Sequence, residues 1–157
     1  MKNILLIVIA LISVHCVAQR NTFKNISEKN GMIGIGTNAP DELLTVKGKI
    51  HTQEVIVDLQ GAVAPDYVFE WYAHGHSNLL PSYSLTPLPE LAAFIKKHKH
   101  LPGVPSANTL DKEGLSLKEM NLILLEKVEE LTLYTLRQQE EIDALAAKLE
   151  RISPTKE

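Results

Sequence analysis

His74-Gly75-His76 is the sharpest chemical arrangement in the chain. On an extended segment residues i and i+2 point to one side, so both imidazoles would aim at a common point. Imidazole suits zinc, iron, nickel or copper, and three such pairs around a threefold axis would present six nitrogen ligands. Two histidines alone make a weak metal motif, however. An exposed loop beside Ser77 and Asn78 accounts for the pair without any ion, and that reading is preferred, with His74 and His76 kept as weak metal candidates. His98 and His100 repeat the spacing but flank an expected helix end, where they should face apart, with His100 ordering the turn that follows.

Read as extended, the run Tyr67-Val68-Phe69-Glu70-Trp71-Tyr72 puts Tyr67, Phe69 and Trp71 on one face, a candidate glycan-stacking platform. Core packing has the stronger claim on them, since they are the best hydrophobic payload available. Ser116 and Lys118 are near neighbours, but a serine nucleophile needs a base within hydrogen-bond reach, and helix capping accounts for Ser116. The Gly31, Gly34 and Gly36 cluster lacks the lysine of a phosphate loop, and no expected helix begins directly after it. Lys96 to Lys99 reads as a solvated helix end. No catalytic, cofactor-binding or firm metal residue emerges, so the expectation is a non-enzymatic protein without a cofactor.

The elements that carry these residues follow from patterning. Lys2, the apolar run from Ile4 to Val14 and the small residues of Cys16-Val17-Ala18 read as a signal peptide, residues 1–18, cleaved after Ala18. A lipoprotein would need a small residue before Cys16, and His15 is not small. Cys16 is the only cysteine, so about 139 residues would remain without a disulfide. The net charge of −3 becomes −4 once Lys2 is removed, a mildly acidic balance with no basic block, which argues against nucleic acid. No membrane span is expected after signal removal, and the product should be secreted or held at the cell surface.

Residues 19–30 are polar and read as a flexible leader. Residues 31–60 read as a β stem: Met32, Ile33 and Ile35 among glycines, then Leu44, Val46 and Ile50 at even spacing, then the β-branched run Glu54 to Leu59. Gly48 within that alternation suggests a bulge or a close backbone approach. Residues 61–115 form a small mixed domain. In it Thr86 reads as an N-cap with Pro87 at the first helical position. Leu88, Leu91, Phe94 and Ile95 give one apolar face, and Ser106 caps a further short turn ending at Gly114. The fold class is α+β.

Residues 116–152 are the clearest element, followed by a tail at 153–157. Ser116 and Glu119 make a capping box, and neither glycine nor proline recurs until Pro154. The helix should run from about Leu117 to about Ile152, on the order of 50 Å. Position a of a heptad falls on Asn121, Val128, Thr135, Ile142 and Leu149. Position d falls on Leu117, Leu124, Leu131, Gln138, Leu145 and Ile152. No second helix of similar length exists to cover this stripe, so it should meet copies of itself. Val and Ile at a with Leu at d lean towards two strands, but the seam alone leaves two or three open. Leu122, Ile123 and Leu125 lie off the seam and should be buried by the preceding domain.

Two stretches carry a resemblance. Gly34 to Ile50, GIGTNAPDELLTVKGKI, resembles a G-I-G-T-x-x-P…L-x-V-x-G-x-I element of phage tail-fibre proteins and surface proteins of Bacteroidota. PDYVFE, YSLTPLPELAAFIKKHKHLPGVPSA and LSLKEMNLILLEKVEELTLYTLRQQEEI resemble the C-terminal region of secreted, tail-fibre-like Bacteroidota proteins. The resemblance implies a parallel homotrimer, an intertwined β stem leading into a C-terminal bundle, and a role in fibres or adhesion, with a surface glycan or protein as a further partner. The related endosialidase-type intramolecular chaperones cut themselves at a Ser-Asp step. This chain has no Ser-Asp step, so self-cleavage stands as the alternative without its motif, beside a metal- or glycan-binding tip.

Overall fold

A computed structural model describes residues 23–152. The expected signal peptide, the start of the leader and the tail at 153–157 lie outside the described residues. The chain is α+β: a small three-stranded mixed sheet, then four helices of which the last is long. It divides into two compact units, one up to Val55 and one from Ile56.

In the first unit β1 (Ile26–Lys29) pairs antiparallel with β2 (Met32–Ile35), and β2 pairs parallel with β3 (Leu44–Val46). Asn30 and Gly31 join β1 to β2 with φ of 56° and 79°. Two consecutive positive φ values are what a type I′ hairpin demands, and Asn-Gly is its preferred pair. The leader therefore needs correction, because its second half is a strand. β1 is held by ladder hydrogen bonds on a polar edge, so no hydrophobic period advertises it. Gly34 faces the Thr37 carbonyl and the Ser27 hydroxyl so closely that a Cβ would collide with both. Ser27 Oγ donates to Thr37 O at 2.6 Å, closing that approach. Thr45, buried, donates to Asp41 Oδ1 at 2.8 Å and accepts from the Asp41 and Glu42 amides at 3.1 Å. That hydrogen bond holds the Asp41 carboxyl below the usual carboxylate range.

The rest of the expected stem is not strand. Glu54 to Leu59 has no neighbouring strand to complete a ladder, and Val55, Ile56, Val57 and Leu59 stay exposed. Ile50 also lies outside the sheet and is exposed, and Gly48 faces open space rather than a close approach.

The second unit carries α1 (Tyr67–His74), α2 (Leu88–His98), α3 (Ala107–Glu113) and α4 (Leu117–Ile152). Helix α1 corrects the extended reading of the aromatic run. Tyr67, Val68 and Trp71 fall at helical spacing and turn towards the core, while Phe69 and Tyr72 stay exposed. Aromatic residues favour strands only where a pleated surface receives them. Here the surface they meet is α4, and packing there decides the conformation. Gly75, at φ 76°, ends α1 by donating its N–H to Trp71 O.

Helix α2 begins one residue later than expected, with Pro87 rather than Thr86 at the cap position. Lys99 ends it in the left-handed conformation, and the basic last turn suits the negative end of the helix dipole. Ser106 Oγ accepts from the Thr109 amide at 3.2 Å and starts α3, which Gly114 ends. Ser116 Oγ accepts from the Glu119 amide at 3.5 Å, the serine half of the capping box at the start of α4. The core is small: Tyr67, Val68, Leu85, Leu133 and Tyr134, with Trp71, Leu80, Tyr83 and Leu91 packed against it. From Thr135 to Ile152 every residue of α4 is exposed.

Candidate functional site

The heptad places the residues of α4 on two distinct faces. Leu133 and Tyr134 are buried, as is Glu129, and Leu122, Glu126 and Glu130 are half-buried. These occupy the b, c, f and g positions, and they pack on the second unit's own helices. All eleven a and d residues, by contrast, are exposed, from Leu117 and Asn121 through Leu131 and Thr135 to Leu149 and Ile152. Leu131 is 63% exposed and Leu149 66%. Of the off-seam residues, Leu122 and Ile123 are partly covered as expected, but Leu125 is not. It lies at position e, between the exposed seam and the domain face, and stays 45% exposed.

The polar seam positions are largely satisfied by their own helix. Asn121 Nδ2 donates to Leu117 O at 2.7 Å, and Thr135 Oγ1 donates to Leu131 O at 2.9 Å. Thr132, on the seam's edge, bonds Val128 O in the same way at 2.8 Å. Side chains bonded back one turn carry their donors into a dry interface already paired, which lowers the cost of covering them.

The seam is also the floor of a groove of about 550 Å³. Leu124, Val128 and Leu131 form the floor; Leu88 and Leu91 of α2, with Leu101 and Pro102 after it, form the wall. Tyr134 holds this wall in place. Its hydroxyl donates to Thr86 O at 2.5 Å, pinning the start of α2 beside α4.

The buried face of α4 is an ion cluster that sequence reasoning missed. Tyr67 Oη donates to Glu126, and Lys127 Nζ bridges Glu126 at 2.6 Å and Glu130 at 3.0 Å. Tyr83 joins through Glu130 at 3.5 Å, with its ring 5.0 Å from Tyr67 and 6.2 Å from Trp71. Burial, and then the Glu126 bond, push the Tyr67 phenol far up; burial, and then the Glu130 charge, do the same to Tyr83. Burial raises the Glu130 carboxyl against the pull of Lys127. Burial would lower Lys127, but its bonds to Glu126 and Glu130 outweigh that and raise it. The phenol bonds tie α1, through Tyr67, and the following loop, through Tyr83, to α4. The only sequence signal was the Glu126, Glu129, Glu130 spacing, which looks like a solvated face.

The other candidates fall where packing puts them. His74 closes α1 and Gly75 turns the chain, so the two histidines are not an extended pair. Their ring centroids lie 6.3 Å apart, and His76 Nδ1 sits 3.2 Å from His74 O. Glu70 orders the loop that follows: its carboxylate accepts from Ser77 Oγ at 2.5 Å and from the Asn78 amide at 3.0 Å. The serine bond leads in lowering the Glu70 carboxyl. Among the described residues no three His, Cys, Asp or Glu side chains gather to hold a metal ion. Nor do Tyr67, Phe69 and Trp71 make a platform, since the helix turns Phe69 away from the other two.

His98 and His100 converge instead of facing apart. The left-handed Lys99 folds the chain back, so both rings pack on Phe94 at 4.3 and 5.7 Å. Lys118 Nζ donates to Leu59 O at 3.5 Å, which engages it away from Ser116.

Fold and site together define an α+β chain with a long C-terminal helix, apolar on its outer face. Comparison with protein-family models, with curated proteins and with solved structures gives no match. No helix among the described residues is long and apolar enough to cross a membrane.

Proposed function

We propose that the protein is a secreted, non-enzymatic structural or adhesive component of a surface fibre, assembled from copies of itself through α4, three rather than two. The observation that carries this reading is the exposure of the whole heptad stripe while the opposite face of the same helix is buried. Apolar surface of this extent on a soluble chain marks an interaction site. Its 3.5-residue period selects a helix as the partner.

The stripe is wider than a two-stranded seam, because Leu125 and Ala146 extend it at position e. Extra width favours more than two helices, as does the resemblance to trimeric tail-fibre-like proteins. The leader pattern of residues 1–18 supports secretion. The exposed Ile33 and Leu44 of the small sheet suit a stem covered by sister chains.

Light scattering on the purified protein at micromolar concentration tests the reading. The expected molar mass is three times that of one chain. A stable monomer overturns self-assembly, and two copies overturn only the trimer.

A further inference from the structure

The groove has walls of unequal kind, and that asymmetry points to how a second copy sits in it. Along α4 the g residues Lys127 and Tyr134 line the groove on the side of α2. The e residues Lys118, Leu125, Thr132, Gln139 and Ala146 occupy the other flank, and of these only Lys118, bonded to Leu59 O of its own unit, is charged. In a parallel coiled coil the g flank of one helix faces the e flank of the next. A neighbour entering the groove therefore presents its e flank, uncharged from Leu125 onwards, to α2 and to the Leu101-Pro102 turn.

Height along the helix selects the contacts. Tyr134 and Gln138 share a second hollow with Pro87 and Leu88, so Leu88 stands at the Gln138 end of the groove. Leu101 and Pro102 line the same groove as Leu124, the residue before Leu125. In register, a neighbour's Leu125 arrives at that level. Leu125 remains 45% exposed and Leu101 38%.

We propose that each copy clamps the α4 of the next: the groove receives a second copy's α4 in parallel register, with the neighbour's Leu125 seated against Leu101 and Pro102. This rests on self-assembly through α4 and adds the direction, the register and a second surface. The area fits. Each of the eight large apolar a and d residues is more than half exposed, and with Leu88 and Leu101 beside them the apolar surface is on the scale of one partner's share of a standard interface, about 800 Å². A clamp from α2 also explains how helices with a repeating stripe avoid slipping by a heptad, since only one register brings Leu125 to Leu101.

The test is cross-linking in the full chain carrying Cys16→Ser, which removes the sole thiol. Leu101→Cys and Leu125→Cys are introduced together and singly, then treated with a short bis-maleimide, which is less exacting than disulfide geometry. Both sites are substantially exposed, so folding should survive. In the double variant chains should link into a closed covalent ring whose size equals the oligomer, while each single variant remains unlinked. Three results overturn the clamp and leave self-assembly standing. They are an oligomer by light scattering whose double variant does not link, one whose chains link only within themselves, and one in which Leu125→Cys alone links, as an antiparallel pair would. A monomeric wild-type protein overturns both.

Discussion

The two faces of α4 invert the usual expectation of which residues a subunit buries. The face turned towards its own domain carries Glu126, Lys127, Glu129 and Glu130 beside Leu133 and Tyr134, and Tyr67 of α1 and Tyr83 of the following loop bond its carboxylates. The face left in solvent carries Leu124, Val128, Leu131, Ile142 and Leu145. Burying leucine and valine side chains stabilises a fold more than burying paired charges does, so the exposed stripe is the costlier half of this arrangement for a lone chain. Under the proposed self-assembly, the apolar stripe left out by this arrangement is buried by other copies. The polar face needs ion pairs and phenol hydrogen bonds to sit against the domain at all, since unpaired charge there is costly.

Substitution can separate the two faces. Leu131→Asp should have the largest effect: each copy would bring a carboxylate into an apolar layer, and the oligomer should fall to monomers by light scattering. The secondary structure of the second unit should survive, because Leu131 is 63% exposed and lies outside the core cluster. An unchanged molar mass would mean the seam is misplaced. Leu133→Ala acts on the opposite face, two residues away. Leu133 is fully buried, so the cavity should cost about 3 kcal/mol in denaturant unfolding at fixed protein concentration. Assembly should persist below the transition. If Leu133→Ala dissociated the oligomer as completely as Leu131→Asp, the two faces would not be separable and the contrast would fail.

Much of this helix was legible because its signals are local and repeat. Capping at Ser116, the absence of glycine and proline, and the heptad spacing locate Leu117–Ile152, and the same kind of signal finds α2 and the Ser106 start of α3. The misses share a physical cause, which is that a distant partner decides them. Tyr67 to His74 is rich in strand-favouring side chains, yet α4 supplies a surface that a helix fits. Glu54 to Leu59 has strand composition but no strand beside it. Ile26–Lys29 is the exception: the Asn30-Gly31 turn that delivers it to β2 is a local hairpin signal, masked by the polar composition around it. In the candidate site, the seam could be written down from period alone. The groove wall could not, since it requires Tyr134 to reach Thr86 across 48 residues.

Glu129 sharpens the contrast with the smallest effect. It is 6% exposed on the domain face, and its Oε2 has no hydrogen-bond partner. Burial, then the charges of Asp66 and Glu126, raise its carboxyl above the ordinary value of 4.5. A carboxyl raised in the folded chain binds its proton more tightly there than in the unfolded chain. Stability contributed by this group is therefore present below the ordinary value, falls as pH rises towards the raised one, and is lost above it. Glu129→Gln removes the charge that causes the loss. The variant should unfold at higher denaturant than the wild type at pH 7, and the gap should close as the pH falls below 4.5. Its molar mass should not change, because the residue lies on the face away from the seam. A variant less stable than wild type at pH 7 would mean that the Glu129 carboxylate is paired in solution, and the domain face would then be as fully satisfied as an ordinary core.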